Sequence, residues 1–521
     1  MSTGLDGVFI PEVRKHRENH ARLVRVTYSS TKAAGVMLLA AIVALIVANT
    51  GLHEPFRAFW ETDFGFVFGE HEAVLTLGEI INDIFMAVFF LLVGLEIKYE
   101  MTAGELTNIR QAILPIVAAF GGVLAPIVVF TLINGGNPES AGGWGVPTAT
   151  DIAFALGIIS LLGNRVPNGV RVFLSTLAVA DDIIAIVVIA VFYGQTPSVG
   201  WLVCAGVVLL ALIALNRAHV YAITPYMLIG VVLWYCVFRS GVHSTIAGVL
   251  LAMTIPAGTS VDLRSFIDWS GKTVERAKST YDEGVHISAQ DDYLKVIGGL
   301  SSVSRQVVPP STRLEHALYP WVYFGVLPLF ALTNADVTLV GTNLATLVST
   351  PAFTGVFFGL LLGKPIGIML FSFIVIKLKV ASLPEHTTWR HMFGAAVLGG
   401  VGFTMAIFVA NLAFTDAALI ADAKAGILSA SALAGILGFT LLALEARRDQ
   451  KRGVAYVTAT GENKLRSTAD AETARESDRL ISAYADDKVR GEYAAAQKAS
   501  GSQEIEIVVH FGERAPRKRK K

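Results

Sequence analysis

Long apolar segments alternate with short polar ones along most of the 521-residue chain. A transmembrane helix needs about 20 mostly apolar residues, because each residue rises about 1.5 Å and the hydrocarbon core is about 30 Å thick. Several segments approach that length, so the pattern predicts an all-α polytopic membrane protein with about 12 transmembrane helices. The predicted spans are residues 33–51, 77–97, 112–134, 147–163, 169–193, 199–215, 220–238, 241–256, 319–337, 351–378, 391–413 and 424–445.

Three polar regions lie outside these spans. We expect a cytoplasmic N-terminal segment at 1–30, spans one to eight within 31–256, a cytoplasmic loop at 257–318, spans nine to twelve within 319–445, and a cytoplasmic polar tail at 446–521. The tail is polar and charged, and such composition predicts partial disorder. It ends in a basic cluster at 517–521, which could also contact anionic lipid.

Basic residues distinguish the two sides of the membrane. Lys and Arg cluster before span one and follow spans two, four, six, ten and twelve, whereas 134–145 and 194–198 carry almost none. Because cytoplasmic loops are enriched in Lys and Arg, both termini are predicted to be cytoplasmic. Only 16% of the residues are charged and the formal net charge is zero, so nothing in the composition favours a nucleic-acid partner.

Spans three to five and ten to twelve form two triplets, and the middle member of each carries features of a broken helix. Span four begins with the sequence PTATD at 147–151, and span eleven contains three glycines within 399–402. In the predicted orientation span three runs outward and span ten inward, which makes the two triplets an inverted-topology repeat. Transporter sites are often built at mid-membrane in such repeats. Alternatively, the glycines only allow close helix packing.

Three charged residues fall near the middle of predicted spans. Asp181 and Asp182 lie in span five and Lys364 lies in span ten. Each charge there costs at least about 2.5–3.5 kcal/mol, so we expect the three to cluster and to serve a function. Oxygen ligands suit a small hard cation, and the mutual repulsion and burial of two carboxylates let protons compete for them. Lys364 could pair with an aspartate or carry a proton itself, and Asp151, after Thr150, could neutralise helix N-termini or contact the ion.

Four further titratable residues are expected at the cytoplasmic mouth. Glu96 and Glu100 are four residues apart at the end of span two and therefore share a helix face, and Glu315 and His316 close the 257–318 loop. One interpretation is a pH-responsive funnel that attracts cations. The other is an ordinary solvated loop surface.

Eight short motifs occur in order between about residue 30 and residue 445. They are IND at 81–83, FFLLVGLE at 89–96, ATDIAFALG at 149–157, ADD at 180–182, GVH at 241–243, RLEH at 313–316, GKP at 363–365 and GFTM at 402–405. Together they resemble the NhaA-type bacterial sodium/proton antiporters, a family that also illustrates the general inverted-repeat architecture.

This resemblance implies that spans four and eleven are broken and cross at mid-membrane. It also implies electrogenic exchange of one cytoplasmic Na⁺ or Li⁺ for two external protons, in the bacterial inner membrane. Asp182 would be the principal ion ligand, with Asp181 beside it and Thr150 as a further contact, while Asp151 and Lys364 would compensate helix dipoles. The pH-responsive region would include Glu96, Glu100 and Glu315, to which our own interpretation adds His316.

The expected role is sodium extrusion and control of internal pH. No cofactor is expected, and the partners are Na⁺, H⁺, the lipid bilayer and, as a homodimer, a second copy of the chain. The sequence departs from the family pattern at Tyr99, Ala180 and Thr312, where the family has a basic residue, isoleucine and lysine respectively. The 257–318 loop is also longer than usual. These departures affect the expected pH response more than the ion chemistry.

Three other functions could use buried aspartates. An intramembrane aspartyl protease needs two carboxylates that face each other, whereas neighbours on one helix point about 100° apart. A passive cation channel would more naturally use repeated subunits than two unequal triplets. A sodium-coupled symporter of a small organic solute also fits inverted repeats and broken helices.

Overall fold

The structure is a computed structural model that describes residues 27–68, 71–107, 109–194, 197–338, 344–384 and 386–451. Most of the predicted N-terminal segment and all of the tail after 451 lie outside the described residues, as does the basic cluster at 517–521.

Within the described residues, eight helices are long and apolar enough to cross a membrane. Two further pairs of helices pass the same test together but are bent, by 46° and 43°; we call them the first and second bent pairs. The first is Pro138–Thr148 with Ile152–Leu161, and the second is Trp389–Gly399 with Phe403–Ala413. The eight helices are Ser30–Ala48, Leu77–Thr102, Ala112–Asn134, Asn168–Phe192, Val199–Arg217, Pro310–Asn334, Pro351–Lys377 and Ala417–Lys451.

The predicted helical, polytopic membrane architecture is confirmed, but the number of spans is not. The described residues contain eight candidate spans, or up to ten if each bent pair counts as one, against the predicted 12. The difference arises in residues 220–256, where the helices Ile223–Arg239 and Ile246–Thr254 have 17 and 9 residues. Both are shorter than the roughly 20 residues that a perpendicular crossing requires.

A small antiparallel sheet departs from the all-α prediction. Strand Asp63–Phe68 pairs with strand His71–Thr76, with Asp63 opposite Thr76. These strands are too short and too polar to match the pattern of a membrane span.

The predicted 257–318 loop is largely helical. Helices Leu263–Thr280 and Asp291–Gln306 lie within it. The next helix already begins at Pro310, so the predicted boundary at 318/319 falls inside that helix. Asp262 caps Leu263–Thr280, and hydrogen bonds from the Ser265 backbone and hydroxyl hold the pKa of this carboxyl below its usual value.

Several short elements complete the described chain. Widened π-helical turns interrupt three of the long helices, one of them directly before Lys364. These turns are Ile80–Phe85, Val322–Val326 and Gly359–Gly363, the short α-helices are His53–Trp60 and Leu344–Ser349, and the 3₁₀ turns are Glu105–Thr107, Gly142–Thr148, Gly163–Arg165 and Ile287–Ala289.

Close backbone packing places the helix that carries Lys364 next to Ala112–Asn134. A Cβ atom added at Gly367 would lie only 2.0 Å from the Gly121 carbonyl oxygen, so a larger residue does not fit there. Small residues allow this kind of approach between membrane helices. The contact lies one turn after Lys364 and therefore helps to set its position.

Candidate functional site

The two bent pairs meet at their interruptions. Residues 149–151 and 400–402 lie outside the flanking helices, at the places where the sequence predicted breaks. The backbone N–H of Asp151 donates to the Val401 carbonyl over 2.7 Å, and the Thr150 hydroxyl lies 3.0 Å from the Gly399 carbonyl oxygen. Each interruption therefore satisfies backbone groups of the other.

Asp151 lies at the N-termini of two helices at once. Its Oδ1 accepts from the Phe154 N–H over 3.1 Å and caps Ile152–Leu161. Its Oδ2 accepts from both the N–H and the hydroxyl of Thr404, over 3.1 and 2.5 Å, in the first turn of Phe403–Ala413. One negative charge is thus placed against the positive ends of two helix dipoles, as the predicted compensating role requires.

Lys364 lies at the C-terminal end of the first half of the first bent pair. Its Nζ donates to the Thr148 carbonyl over 2.5 Å, at the end of the turn Gly142–Thr148, and lies 2.9 Å from Asp181 Oδ2. The side chains of Lys364 and Asp181 are both 0% exposed. The buried ammonium therefore has one full counter-charge and one backbone carbonyl, a pairing that a buried charge needs.

The carboxylate of Asp181 is held by two donors on the same oxygen. Oδ2 accepts from the Thr150 hydroxyl over 2.6 Å as well as from Lys364. Because a hydroxyl has a single proton, Thr150 donates to either Asp181 or the Gly399 carbonyl at any moment. Asp181 Oδ1 is buried and has no hydrogen-bond partner among the described residues.

Asp182, the next residue, faces a different environment. It lines a small cavity of about 10 Å³, which is room for about one water molecule or one desolvated ion. Its Oδ1 has no hydrogen-bond partner in the described part of the chain. The cavity is lined by Phe89, Val93, Glu96, Thr150, Asp151, Ile152, Ala153, Asp182, Tyr323, Leu327, Thr404 and Met405.

The oxygen atoms around this cavity are chemically alike. Asp182, Glu96 and Asp151 contribute carboxylates, and Thr150 and Thr404 contribute hydroxyls. Such hard oxygen ligands fit a small hard cation. Among the described residues, no group of three or more His, Cys, Asp or Glu side chains is arranged to hold a metal ion.

Only one of the four residues predicted at the cytoplasmic mouth lines the cavity. Glu96 does so, whereas Glu100, Glu315 and His316 do not. Glu100 is half-buried near the end of its helix, and Glu315 is buried at 5% exposure in the helix Pro310–Trp321, which packs against that helix. The backbone carbonyl of His316 accepts a hydrogen bond from the Tyr28 hydroxyl over 2.6 Å.

Sequence reasoning missed two side chains that support the interruptions and the mouth. The hydroxyl oxygen of Ser431 accepts from the N–H groups of Gly402 and Phe403, over 3.3 and 3.1 Å. Lys98 Nζ donates to carbonyls at the end of helix Ile246–Thr254. A serine in an apolar span gives no distinctive signal, and Lys98 counted only as one of the basic residues that set orientation.

Comparison with known proteins identifies the family. The family described as Na⁺/H⁺ antiporter 1 matches residues 25–442. The chain belongs to the NhaA family of Na⁺/H⁺ antiporters. It is 44% identical over 417 residues to the Na⁺/H⁺ antiporter NhaA 2 of Syntrophotalea carbinolica, a match that covers 80% of this chain and 95% of that protein.

Other NhaA proteins are similar over comparable lengths. Na⁺/H⁺ antiporter NhaA of Wolinella succinogenes is 40% identical over 432 residues, covering 83% of this chain and 95% of its own. That of Helicobacter pylori strain HPAG1 is 41% identical over 445 residues, covering 84% and 99%. The predicted resemblance is therefore confirmed, and all the site residues named above lie within the matched range.

Membership of the NhaA family, whose members are named as antiporters, favours transport over the protease alternative. The geometry agrees with this assignment. An aspartyl protease would need a second carboxylate facing Asp181 or Asp182, but Asp151, a further buried aspartate of the site, has both carboxylate oxygens occupied by helix N-termini. Asp181 is paired with Lys364 on the same oxygen that Thr150 contacts.

Proposed function

We propose that this NhaA-family protein exports cytoplasmic Na⁺ or Li⁺ in exchange for external H⁺ across the bacterial inner membrane. The exchange carries two protons inward per cation, is therefore electrogenic, and is regulated by pH; it serves sodium extrusion and internal pH homeostasis. Both termini lie in the cytoplasm. The main support is the position of Asp182, a buried carboxylate that opens onto a cavity beside the Asp181–Lys364 ion pair.

Asp182 holds either a cation or a proton. The cavity lining includes Thr150 and Asp182, and the neighbouring Asp181, which is not part of the lining, accepts a hydrogen bond from Thr150. Sodium therefore has oxygen ligands to replace part of its hydration shell. When Asp182 binds a proton, its negative charge is lost, and with it the principal attraction for the cation. Occupancy by the two ions is thus mutually exclusive, which couples their fluxes.

A second proton per cycle requires another titratable group next to Asp182. Asp181 and Lys364 form a fully buried ion pair in contact with Thr150. Movement of Asp181 toward the cation would weaken this pair and allow Lys364 to release a proton. We therefore include Asp181, Asp182 and Lys364 as the exchange residues, with Asp151 and Lys364 also compensating helix ends.

A sodium-coupled symporter and a passive channel are distinguishable from this exchange. A symporter requires an organic solute in addition to Na⁺, and a channel does not couple cation flux to protons. The cavity beside Asp182 has room for about one water-sized species, which favours a bare ion over an organic solute as cargo.

The deciding experiment uses everted vesicles that hold a proton gradient reported by a lumenal pH dye. Added Na⁺ should dissipate the gradient with the wild type, and the Asp182→Asn variant should abolish the response because its amide carries no charge. Asp262→Asn, in an exposed helix cap far along the chain, is the matched control and should respond like the wild type. A wild type that leaves the gradient unchanged with added Na⁺ or Li⁺ between about pH 7 and 9 would exclude antiport.

We further propose that Glu96, Glu100, Glu315 and His316 set the pH response. Glu96 lines the cavity, and the helix bearing Glu315 packs against the one bearing Glu96 and Glu100. Replacement of Glu315 with Gln should move the pH profile of exchange while the dependence on Na⁺ at the optimum is retained. An unchanged profile in both Glu315→Gln and Glu100→Gln would contradict this role.

A further inference from the structure

Three asparagines on three different helices form a continuous chain of side-chain hydrogen bonds. Asn411 Nδ2 donates to Asn334 Oδ1 over 2.7 Å, and Asn334 Nδ2 donates to Asn82 Oδ1 over 2.8 Å. Asn334, in the middle, is 4% exposed, and the outer two are half-buried. We call Asn82, Asn334 and Asn411 the asparagine latch, because it ties together Leu77–Thr102, Pro310–Asn334 and Phe403–Ala413.

Glu96 lies at one end of the cavity, and the latch lies beyond the other end. Along Leu77–Thr102, both Glu96 and Phe89 line the cavity, and Asn82 lies about two turns further in the same direction. The helices Pro310–Asn334 and Phe403–Ala413 show the same spacing. On each, the asparagine lies six or seven residues, or roughly 10 Å along the helix, from a residue that lines the cavity. The pairs are Phe89 with Asn82, Leu327 with Asn334, and Met405 with Asn411.

An aromatic layer separates the cavity from the latch: the rings of Phe330 and Phe408 lie between the two, and the Phe90 ring, at the level of the cavity wall, packs beside Phe408. Phe330 falls between Leu327 and Asn334 on its helix, and Phe408 between Met405 and Asn411. The ring of Phe408 lies 6.3 Å from that of Phe330 and 5.4 Å from that of Phe90, the neighbour of Phe89. All three rings are buried. Apolar rings offer a cation no ligands that could replace its hydration water. The layer therefore blocks the passage of the cation for as long as the helices stay together.

We propose that the asparagine latch holds this barrier shut on the side opposite Glu96, and that it must part each time a cation leaves the cavity toward that side. The proposal rests on the proposed exchange function, because exchange requires a barrier that opens and closes. In the predicted orientation the latched side is the outer one. Asn82, Asn334 and Asn411 are positioning residues, since they act by holding helices rather than by binding the cation in the cavity.

Amides suit this role better than apolar contacts or ion pairs. When the helices separate, the freed N–H and C=O groups can bond to water that enters with the ion, so opening exchanges hydrogen bonds instead of leaving buried polar groups unpaired. Amide oxygens also resemble the hard ligands that a sodium ion accepts. A charged latch would attract or repel the passing cation strongly, whereas a neutral latch can open and close with its passage.

The test measures which side of the membrane reaches the cavity. A background without native thiols (Cys204→Ser, Cys236→Ala) carries one reporter, Leu327→Cys, in the cavity wall. Silver ion, a thiol-reactive monovalent cation of similar size to sodium, is added in chloride-free buffer to oriented vesicles of either sidedness. The thiol that remains free is then counted with a fluorescent maleimide after denaturation.

With the latch intact, silver should reach the reporter from the Glu96 side much faster than from the latched side. Asn334→Leu removes both inter-helix hydrogen bonds and should accelerate the reaction from the latched side on the order of tenfold, since two buried bonds bias a two-state equilibrium by about that much. Asn134→Leu is the matched control, because Asn134 is equally buried but donates within its own helix. In this control, the ratio of the reaction rates from the two sides of the membrane should equal that of the background.

A second variant keeps the test decisive if Asn334→Leu does not fold. Asn411→Ala removes only one bond at the half-buried end and should accelerate the reaction from the latched side by a smaller factor. Folded variants that react from the latched side no faster than the Asn134→Leu control would overturn the proposal. This readout is independent of the Na⁺-driven pH response, so loss of that response in the parent would refute exchange without deciding the latch.

Discussion

Asp181 and Asp182 are adjacent in the chain, yet only Asp181 is paired with a counter-charge among the described residues. Asp181 Oδ2 lies 2.9 Å from Lys364 Nζ, whereas Asp182 lines the cavity and its Oδ1 has no hydrogen-bond partner within the ranges that the structure describes. The turn of about 100° between successive helical residues separates the two environments. One aspartate is therefore held in an ion pair at the interruptions, while the other faces the cavity.

This difference predicts opposite effects on stability. Asp181→Asn leaves the fully buried Lys364 without its counter-charge, which costs about 3–5 kcal/mol in comparable sites. Asp182→Asn removes a buried charge that has no such partner and should leave stability unchanged or raise it. The melting temperatures of the purified variants, measured in the same detergent, test this order. The double variant Asp181→Asn/Lys364→Met should regain part of the loss, and equal melting temperatures for the two single variants would contradict the assignment.

Asp151 should be sensitive to truncation because it serves two helix N-termini. Asp151→Ala removes hydrogen bonds to Phe154 and Thr404, and each lost cap typically costs about 0.5–2 kcal/mol. We expect a lower melting temperature and a large loss of exchange in everted vesicles. Asp262→Ala also removes an N-cap, that of Leu263–Thr280, but at an exposed site. It should have a small effect on stability and none on exchange; a comparable loss of exchange in both variants would argue against a special role for Asp151.

The close approach of Gly367 to Gly121 should matter for transport as well as for packing. Gly367→Ala introduces a Cβ that would lie 2.0 Å from the Gly121 carbonyl oxygen, and overpacking of this kind typically costs about 1–3 kcal/mol. Because Gly367 lies one turn after Lys364, the displaced helix should also weaken the Asp181–Lys364 pair and slow exchange. Gly206→Ala, where no atom of the described residues would lie within 4 Å of the added Cβ, is the control and should leave both properties intact. Full exchange by Gly367→Ala would show that the helices can separate without disturbing the site.

The proposed stoichiometry makes transport sensitive to voltage. Moving one net charge per cycle is worth about 2.3 kcal/mol per 100 mV, so an inside-negative potential should drive sodium export. In vesicles loaded with K⁺, a valinomycin-set potential should change the rate of Na⁺-driven pH change, and reversing the potential should reverse the effect. A rate indifferent to the potential would instead indicate one-for-one exchange.

The sequence by itself determined the class of protein and indicated which charged residues come together. The long apolar segments required membrane helices, because backbone groups in lipid must bond internally. Because burying a charge in the membrane is unfavourable, Asp181, Asp182 and Lys364 were expected to cluster. The structure brings Lys364 to Asp181. The glycines at 399–402 and the sequence around Asp151 also marked both interruptions, since local backbone preferences act over short distances.

The tertiary structure alone decided which neighbour each polar group meets. Nothing local indicates that Asp151 caps the helix beginning at Phe403, that Ser431 serves the same turn, or that Asn82, Asn334 and Asn411 join into one chain. The shortening of span 241–256 to nine helical residues, and the pairing of strand Asp63–Phe68 with His71–Thr76, were likewise decided by the tertiary structure. Hydropathy indicates which segments are apolar enough to be buried in the membrane. Hydrogen bonds between segments far apart in the chain depend instead on how the helices pack.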